Sequence, residues 1–405
     1  MPIPEDIVGN RLRAKYDPAA LEKIDSLAAR LERDDSYAPG LAAVTVSLGV
    51  ITTFVSYGLM RRHRNESALR VAHAAVFVLP GWVVAVFVPT GRWYLRALVV
   101  VAAALLGASM RPRAPLSTMA RIGLAGAIGF GVLVAVAPLN PGGEPGLSIW
   151  GNPLVSWRFF GMQNVEAAIV ASGIVIWGTI AGLAAPLLAA LAVAAAVVTG
   201  APTIGANFVG VLTFVFGAAV VTMALVRRRT NPAQVAIAGV IGVAAFVLAL
   251  LADAGSPVSH GGRAARKISS GGASAAWDLI EGRLRLNWEL IRDFTGGVLW
   301  VIGLVISLVI LIRWGLQAEH GPLRGRVAVL GGALMALSSL VLEDSGFYSG
   351  GVLWFVAADA WLLVSLATPG TGVIPPESDA PLAGVGAGTK PPQPGAARRW
   401  RSSRG

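Results

Sequence analysis

The chain is expected to fold as an all-α, polytopic integral membrane helix bundle of about eleven transmembrane helices, with its N-terminus outside and its C-terminus inside. Three observations carry that expectation. The 405 residues are 55% hydrophobic and only 14% charged, with a mean hydropathy of +0.67, more apolar surface than a soluble core can hide. Most of the length is divided into apolar runs, each of roughly the 20 residues needed to cross about 30 Å of hydrocarbon as a helix. The net charge of +11 is concentrated in arginine clusters that fall after alternate runs.

The elements follow in order. In residues 1–37, Asp17 and Pro18 read as N-cap and first-turn residue of a helix with Leu21, Ile24, Leu27 and Leu31 on one face. This segment is expected outside the membrane. The apolar runs then lie near Pro39 to Met60, Ala68 to Pro89, Trp93 to Met110, Thr118 to Pro138, Val165 to Gly182, Ala184 to Val198, Ala206 to Val226, Gln234 to Ala252, Gly297 to Trp314, Val327 to Leu342 and Gly350 to Ala367. The fifth and sixth are joined around Pro186 with almost no polar residue between them, which fits a hairpin, two short spans or one broken helix. Residues 38–367 thus form the membrane body, with long loops at 139–163 and 253–294. Residues 368–405 are dense in Pro and Gly, end in arginines, and are expected to be a disordered cytoplasmic tail.

Orientation comes from the arginines, because cationic residues near span ends favour the cytoplasm. Arg61, Arg62 and Arg64 follow the first run, Arg111 and Arg113 the third, Arg227 to Arg229 the seventh, and Arg313, Arg324 and Arg326 the ninth. The opposite loops carry the unusual polar residues. The chain has no cysteine, which excludes disulfides, thiolate catalysis and cysteine-bound metal centres. His63, His73, His260 and His320 are not at metal-ligand spacing, so no histidine-bound metal and no other cofactor is expected, while an all-oxygen Mg²⁺ or Ca²⁺ site using Glu343 and Asp344 stays open.

Four polar clusters share the extracytoplasmic side. The first ends loop 139–163: Arg158, among Trp157, Phe159 and Phe160, offers a bidentate donor to a phosphate or carboxylate, although the same letters fit an aromatic belt with a snorkelling arginine. Asn164 and Glu166 follow at the head of the fifth run, where a carboxylate is rare enough to point to function. The second, from Gly200 to Gly210, places Gly205 and Asn207 at a turn that opens a helix, either an anion site of exposed N–H groups or a tight packing turn.

The third, loop 253–294, brings His260 together with Arg263, Arg266 and Lys267, suited to a pyrophosphate or anionic lipid head group, with His260 as a candidate general base. After a flexible Ser/Gly stretch, Ile280, Leu284, Trp288 and Ile291 line one face of an amphipathic helix. Glu281, Arg285, Glu289 and Arg292 form its polar stripe, with pairs four residues apart. The fourth is Glu343 to Gly346, where Asp344 is a candidate for proton transfer. Apart from these, Asp359 falls deep in the last run and His73 in the second. An unpaired aspartate at that depth costs roughly 2.5–3.5 kcal/mol on insertion scales, so it needs a partner or a proton: His73, Arg96 and Arg121 are candidates for a structural or cavity-lining pair, and a proton or ion pathway is the alternative.

The order of these motifs, Arg158-Phe-Phe-Gly-x-x-Asn164, Gly-Ala-Pro-x-x-Gly-Ala-Asn-Phe from Gly200 to Phe208, His260-Gly-Gly-Arg263 and Glu343-Asp-Ser-Gly346, resembles the membrane portion of a family of uncharacterised bacterial multipass proteins. Some members carry an alkaline-phosphatase-superfamily domain in front; residues 1–37 are too short for one. Here Val165 separates Asn164 from Glu166, where the family pattern places the acid directly after the asparagine, and Glu343 stands where it favours Asn. In layout the chain is also similar to the O-antigen polymerase and ligase superfamily. The resemblance implies an inner-membrane protein that handles a lipid-linked phosphate or pyrophosphate envelope precursor. The residues leave two alternatives open: a transporter or flippase, and a non-catalytic subunit among envelope-assembly proteins. Membrane lipids are the expected surroundings; nucleic acid is not an expected partner.

Overall fold

The computed structural model describes residues 38–86, 93–110, 115–136, 164–201, 207–254, 260–293, 296–317, 322–343 and 346–367. The helix expected near Leu21, the loop 139–163 and the tail 368–405 lie outside them. Each apolar run is a helix: α1 (Ala38–Arg61), α2 (Asn65–Val86), α3 (Trp93–Ser109), α4 (Leu116–Val136), α5 (Asn164–Ile180), α6 (Ala185–Gly200), α7 (Phe208–Arg227) and α8 (Pro232–Asp253). The series continues with α9 (His260–Asp293), α10 (Gly297–Leu316), α11 (Leu323–Leu342) and α12 (Gly346–Ala367). No strand occurs among the described residues.

Among the described residues five helices, α7, α8, α10, α11 and α12, are long and apolar enough to cross a membrane, which suggests a helical membrane protein. The exposed side chains agree. On α8, Val240 and Leu248 are 70% and 67% exposed, and on α10 Leu299 reaches 75%. Water does not favour such continuous apolar surface; hydrocarbon does.

At the centre stands α5, buried at every residue from Asn164 to Ile180 and packed against α4, α6, α7, α11 and α12. Its middle turn, Gly173–Trp177, is a π-helix. That wider turn meets α4, where Gly173 lies against Ala127 and Trp177 against Gly123. Small residues allow this approach: a Cβ on Gly173 would fall 1.8 Å from that of Ala127.

After α5 the chain reverses at Gly182, whose φ of +91° is open to glycine. The end of α6 returns to the start of α5, because Asn207 bonds both Thr199 and Asn164. Of the arrangements open for this segment, the antiparallel pair excludes the single broken helix.

Contacts along α11 set the levels of its neighbours. Gly331 and Gly332 meet Val175 and Ile176 of α5, Gly332 meets Ala357 of α12, and Met335 and Gly331 meet Gly217 and Val221 of α7. The end of α11 thus stands level with the starts of α5, α7 and α12. We call this the polar end.

The opposite, arginine end is closed by guanidinium groups. Arg324 Nη1 donates to the carbonyls of Thr179 (3.3 Å) in the last turn of α5 and Leu183 (2.9 Å) just beyond it, and Arg326 Nη1 donates to that of Gln317 (3.1 Å) after α10. Helix C-termini expose carbonyls without partners, and cations satisfy them. Arg227 and Arg313, in the last turns of α7 and α10, share this end.

These contacts make Gly173→Ala destabilising by about 1–3 kcal/mol, the cost of overpacking against a backbone that must move. Gly129→Ala on α4, with nothing within 4 Å of its added Cβ, should be neutral or stabilising. Thermal unfolding of the purified protein in detergent compares the two.

Candidate functional site at the polar end

Asn207 precedes α7 and caps it: its Oδ1 accepts from the Gly210 N–H at 2.9 Å. Its Nδ2 donates to Asn164 Oδ1 at 3.0 Å, and its own N–H donates to the Thr199 carbonyl at 2.8 Å. One buried residue therefore joins the ends of α5, α6 and α7. Asparagine suits the position because one side chain both accepts and donates. Glycine is needed at 210 because a Cβ there would lie 2.9 Å from the Asn207 amide carbon. Glu166, two residues after Asn164, is buried in the first turn of α5, where the helix dipole favours a negative charge.

The elbow between α11 and α12 forms a second polar cluster. Ser349 Oγ donates to Glu343 Oε2 at 2.6 Å, and with that hydrogen committed Ser339 Oγ donates to Ser349 Oγ at 2.7 Å. All three side chains are buried. The elbow is tight: Gly346 N–H bonds the Glu343 carbonyl, and a Cβ on Gly346 would fall 2.2 Å from the Ser339 carbonyl oxygen. Asn287 of α9 is pinned to this elbow, donating to the Leu340 carbonyl (2.5 Å) and accepting from the Phe347 N–H (3.2 Å).

Helix α9 is held at its other end by Asp253, the last residue of α8, whose Oδ2 accepts from the Gly262 N–H at 2.9 Å. A remote carboxylate thus satisfies a donor in the first turn of α9. The Ser/Gly stretch expected to be flexible is helical, with a break at Gly272 (φ +63°). The first half presents Arg263, Arg266 and Lys267 to the outside. The second buries Asn287 and Ile291 while exposing Trp277, Leu284 and Trp288 beside its charged stripe. On that stripe the ion pair joins neighbours Arg292 and Asp293 at 2.9 Å, in place of pairs four residues apart. Asp293 raises the Arg292 guanidinium above its ordinary value, first through this hydrogen bond and then through charge.

Asn164, Glu166, Asn207 and the Glu343 cluster are therefore brought to one end of mutually packed helices, with α9 tied to the same end. Arg158, Gly205 and Asp344 lie outside the described residues. His260 begins α9, but its side chain is not among those described. His73 and Asp359 lie elsewhere, buried inside the bundle on the contacting helices α2 and α12. The partner expected for Asp359 is a correction: neither His73, Arg96 nor Arg121 bonds its oxygens, and Arg121 is exposed. Sequence reasoning missed Asn287, whose one signal is a polar amide amid the apolar face of α9, and Asp253, taken only as a loop boundary. Among the described residues no group of three or more His, Asp or Glu could hold a metal ion.

No family model, curated protein or solved structure matches the chain.

Replacing Asn207 with Ala should cost about 1–2 kcal/mol, the loss of a helix cap. In a double-mutant cycle with Asn164→Ala, the two should couple by about 1 kcal/mol. Strict additivity of the unfolding free energies would remove the bond as a joint between α5 and α7.

Proposed function

We propose that the chain crosses the bacterial inner membrane eleven times with its polar end outside, and there handles a lipid-linked, phosphate-bearing envelope precursor in glycan transfer or processing. The supporting observation is the Asn164–Asn207 joint, level with the buried Glu343 cluster, at the end to which α9 and its exposed bases are tied. The arginine end supplies the cytoplasmic side of this topology. The order of motifs resembling the multipass family supports the same reading.

Arg158, Arg263, Arg266 and Lys267 hold the anionic group in this reading, and the turn containing Gly205 and Asn207 supports it. Glu166, His260 or Asp344 takes a proton. In a transfer, an acceptor hydroxyl loses its proton to that base while its oxygen bonds the anomeric carbon. The lipid pyrophosphate leaves as the anion that the bases hold. A transporter or flippase is the second reading, favoured by the buried charge-bearing residue Asp359.

The absence of native cysteine makes topology directly testable. Cysteine placed at Thr203 or Lys267 should react with an impermeant maleimide in intact cells, and cysteine at Arg229 only after permeabilisation. Labelling of positions 203 and 267 from opposite faces would dissolve the shared site. For activity, Glu166→Gln should lower glycan transfer by about 100-fold if the carboxylate is the base. The combined Arg263→Gln, Arg266→Gln and Lys267→Gln variant should lose salt-sensitive retention of a lipid pyrophosphate. Unchanged envelope glycans in cells carrying both variants, folded and inserted, would overturn the proposal.

A further inference from the structure

We propose that Asp359 is an exchangeable binding site for a small monovalent cation, a proton or a sodium ion, inside the helix bundle and apart from the polar end. Asp359 lies past the middle of α12 and is 1% exposed; neither carboxylate oxygen has a hydrogen-bond partner among the described residues. Its neighbours on α12, Phe355, Val356, Ala358, Ala360, Leu362 and Leu363, are buried and apolar. Backbone carbonyls around it are committed to helices. A bare carboxylate in such surroundings is disfavoured unless something of opposite charge joins it.

The packing fixes what that can be. Gly49 of α1 meets Phe355, and Tyr57 of α1 stacks on Trp361 with ring centroids 5.9 Å apart, so Asp359 stands between those levels. Ser56 Oγ donates to the Ala68 carbonyl at 2.8 Å, which brings His73 of α2 to within about one turn of the same height. His73 is buried too, and its Nδ1 is unpartnered among the described residues.

Other ionisable groups on the helices packed against α12 are placed elsewhere. Arg61, Arg313, Arg324 and Arg326 belong to the arginine end, Glu166 and the α9 charges to the polar end, and Arg70 and Arg121 are exposed. Among the described residues no cation is thus bonded to Asp359, and none of them forms a multidentate cage for a divalent ion. A single positive charge from outside the chain cancels the single negative one. Binding is simple association: carboxylate and proton give the acid, or carboxylate and sodium ion give the ion pair.

The test is labelling of the full-length, reconstituted protein with dicyclohexylcarbodiimide, which attacks a protonated carboxyl, followed by peptide mapping. Asp359 should be modified, and Asp359→Asn should lose that modified peptide. A proton site loses labelling as pH rises and ignores sodium; a sodium site is protected by sodium at fixed pH. Either pattern supports the proposal and names the cation. Asp359 left unlabelled in the folded protein at every pH and sodium concentration would overturn it, as would labelling indifferent to both. As a second measure, the thermal midpoint of the wild type should shift with pH or sodium, and the isosteric Asp359→Asn protein should lose that dependence. An identical dependence in Asp359→Asn also overturns the proposal. Glu166→Gln should leave the Asp359 result unchanged, which separates this site from the chemistry of the polar end.

Discussion

The constraint on which this fold depends is that hydrocarbon provides no hydrogen bonds, so helix ends brought into the bundle must be satisfied by the protein itself. Asn207 meets it at one end of the molecule and Arg324 at the other. Asn207 uses both the donor and the acceptor of a small amide, with its backbone N–H, to close three helix termini: it gives to Asn164, takes from Gly210 and bonds the Thr199 carbonyl through its backbone. Arg324 reaches one carbonyl in the last turn of α5 and one just beyond it with a single nitrogen. The choice of residue follows the polarity of the helix. Free N–H groups at helix starts call for an oxygen, and free carbonyls at helix ends call for a cation.

Between these closures the bundle is held by fit. Lipid is as apolar as leucine, so helices gain little by hiding apolar surface from it and associate through close contact and a few hydrogen bonds. This explains why α5 carries small residues where α4 crosses it, and why α11 carries Gly331 and Gly332 where α5, α7 and α12 converge. It also fits the long apolar side chains that α8 and α10 turn outward, which suit a hydrocarbon neighbour. Helix α9 obeys the other rule. It is fixed by polar contacts, Asp253 to Gly262 and Asn287 to the elbow, while its exposed tryptophans and charges divide its surface between an apolar and an aqueous neighbour.

Much of this was legible in the sequence, because the length and hydropathy of a run are local properties. Every apolar run read there is a helix, including the two around Pro186, whose reversal at Gly182 the sequence left open between three arrangements. Asn164, Glu166 and Asn207 stood out as polar residues at the heads of apolar runs. What joins them did not. Asn164 and Asn207 are 43 positions apart, and Asn287 meets Leu340 and Phe347 across 53 and 60, contacts that no local pattern encodes. The break at Gly272 and the π turn of α5 escaped notice for a related reason: each is a small departure within a helix, set by what packs against it.

The burial of carboxylates separates two kinds of acid in this molecule. Asp253 and Glu343 are buried, yet each accepts from a donor supplied by a neighbouring turn or helix, so their charge is spread into bonds that also fix the backbone. Such acids have a structural return for their burial. Among the described residues Asp359 has none: its removal would break no hydrogen bond there, and an asparagine or leucine would fill the space without an ionisable group. A buried acid that secures no hydrogen bond in the resting fold is what an exchangeable cation would stabilise, as proposed above. The same test applied to the polar end gives a different answer, since Asn164, Asn207 and Glu343 already hold the helices in place. There the buried polar side chains already have a structural task, and the bases of α9 lie exposed on a helix tied to that same end.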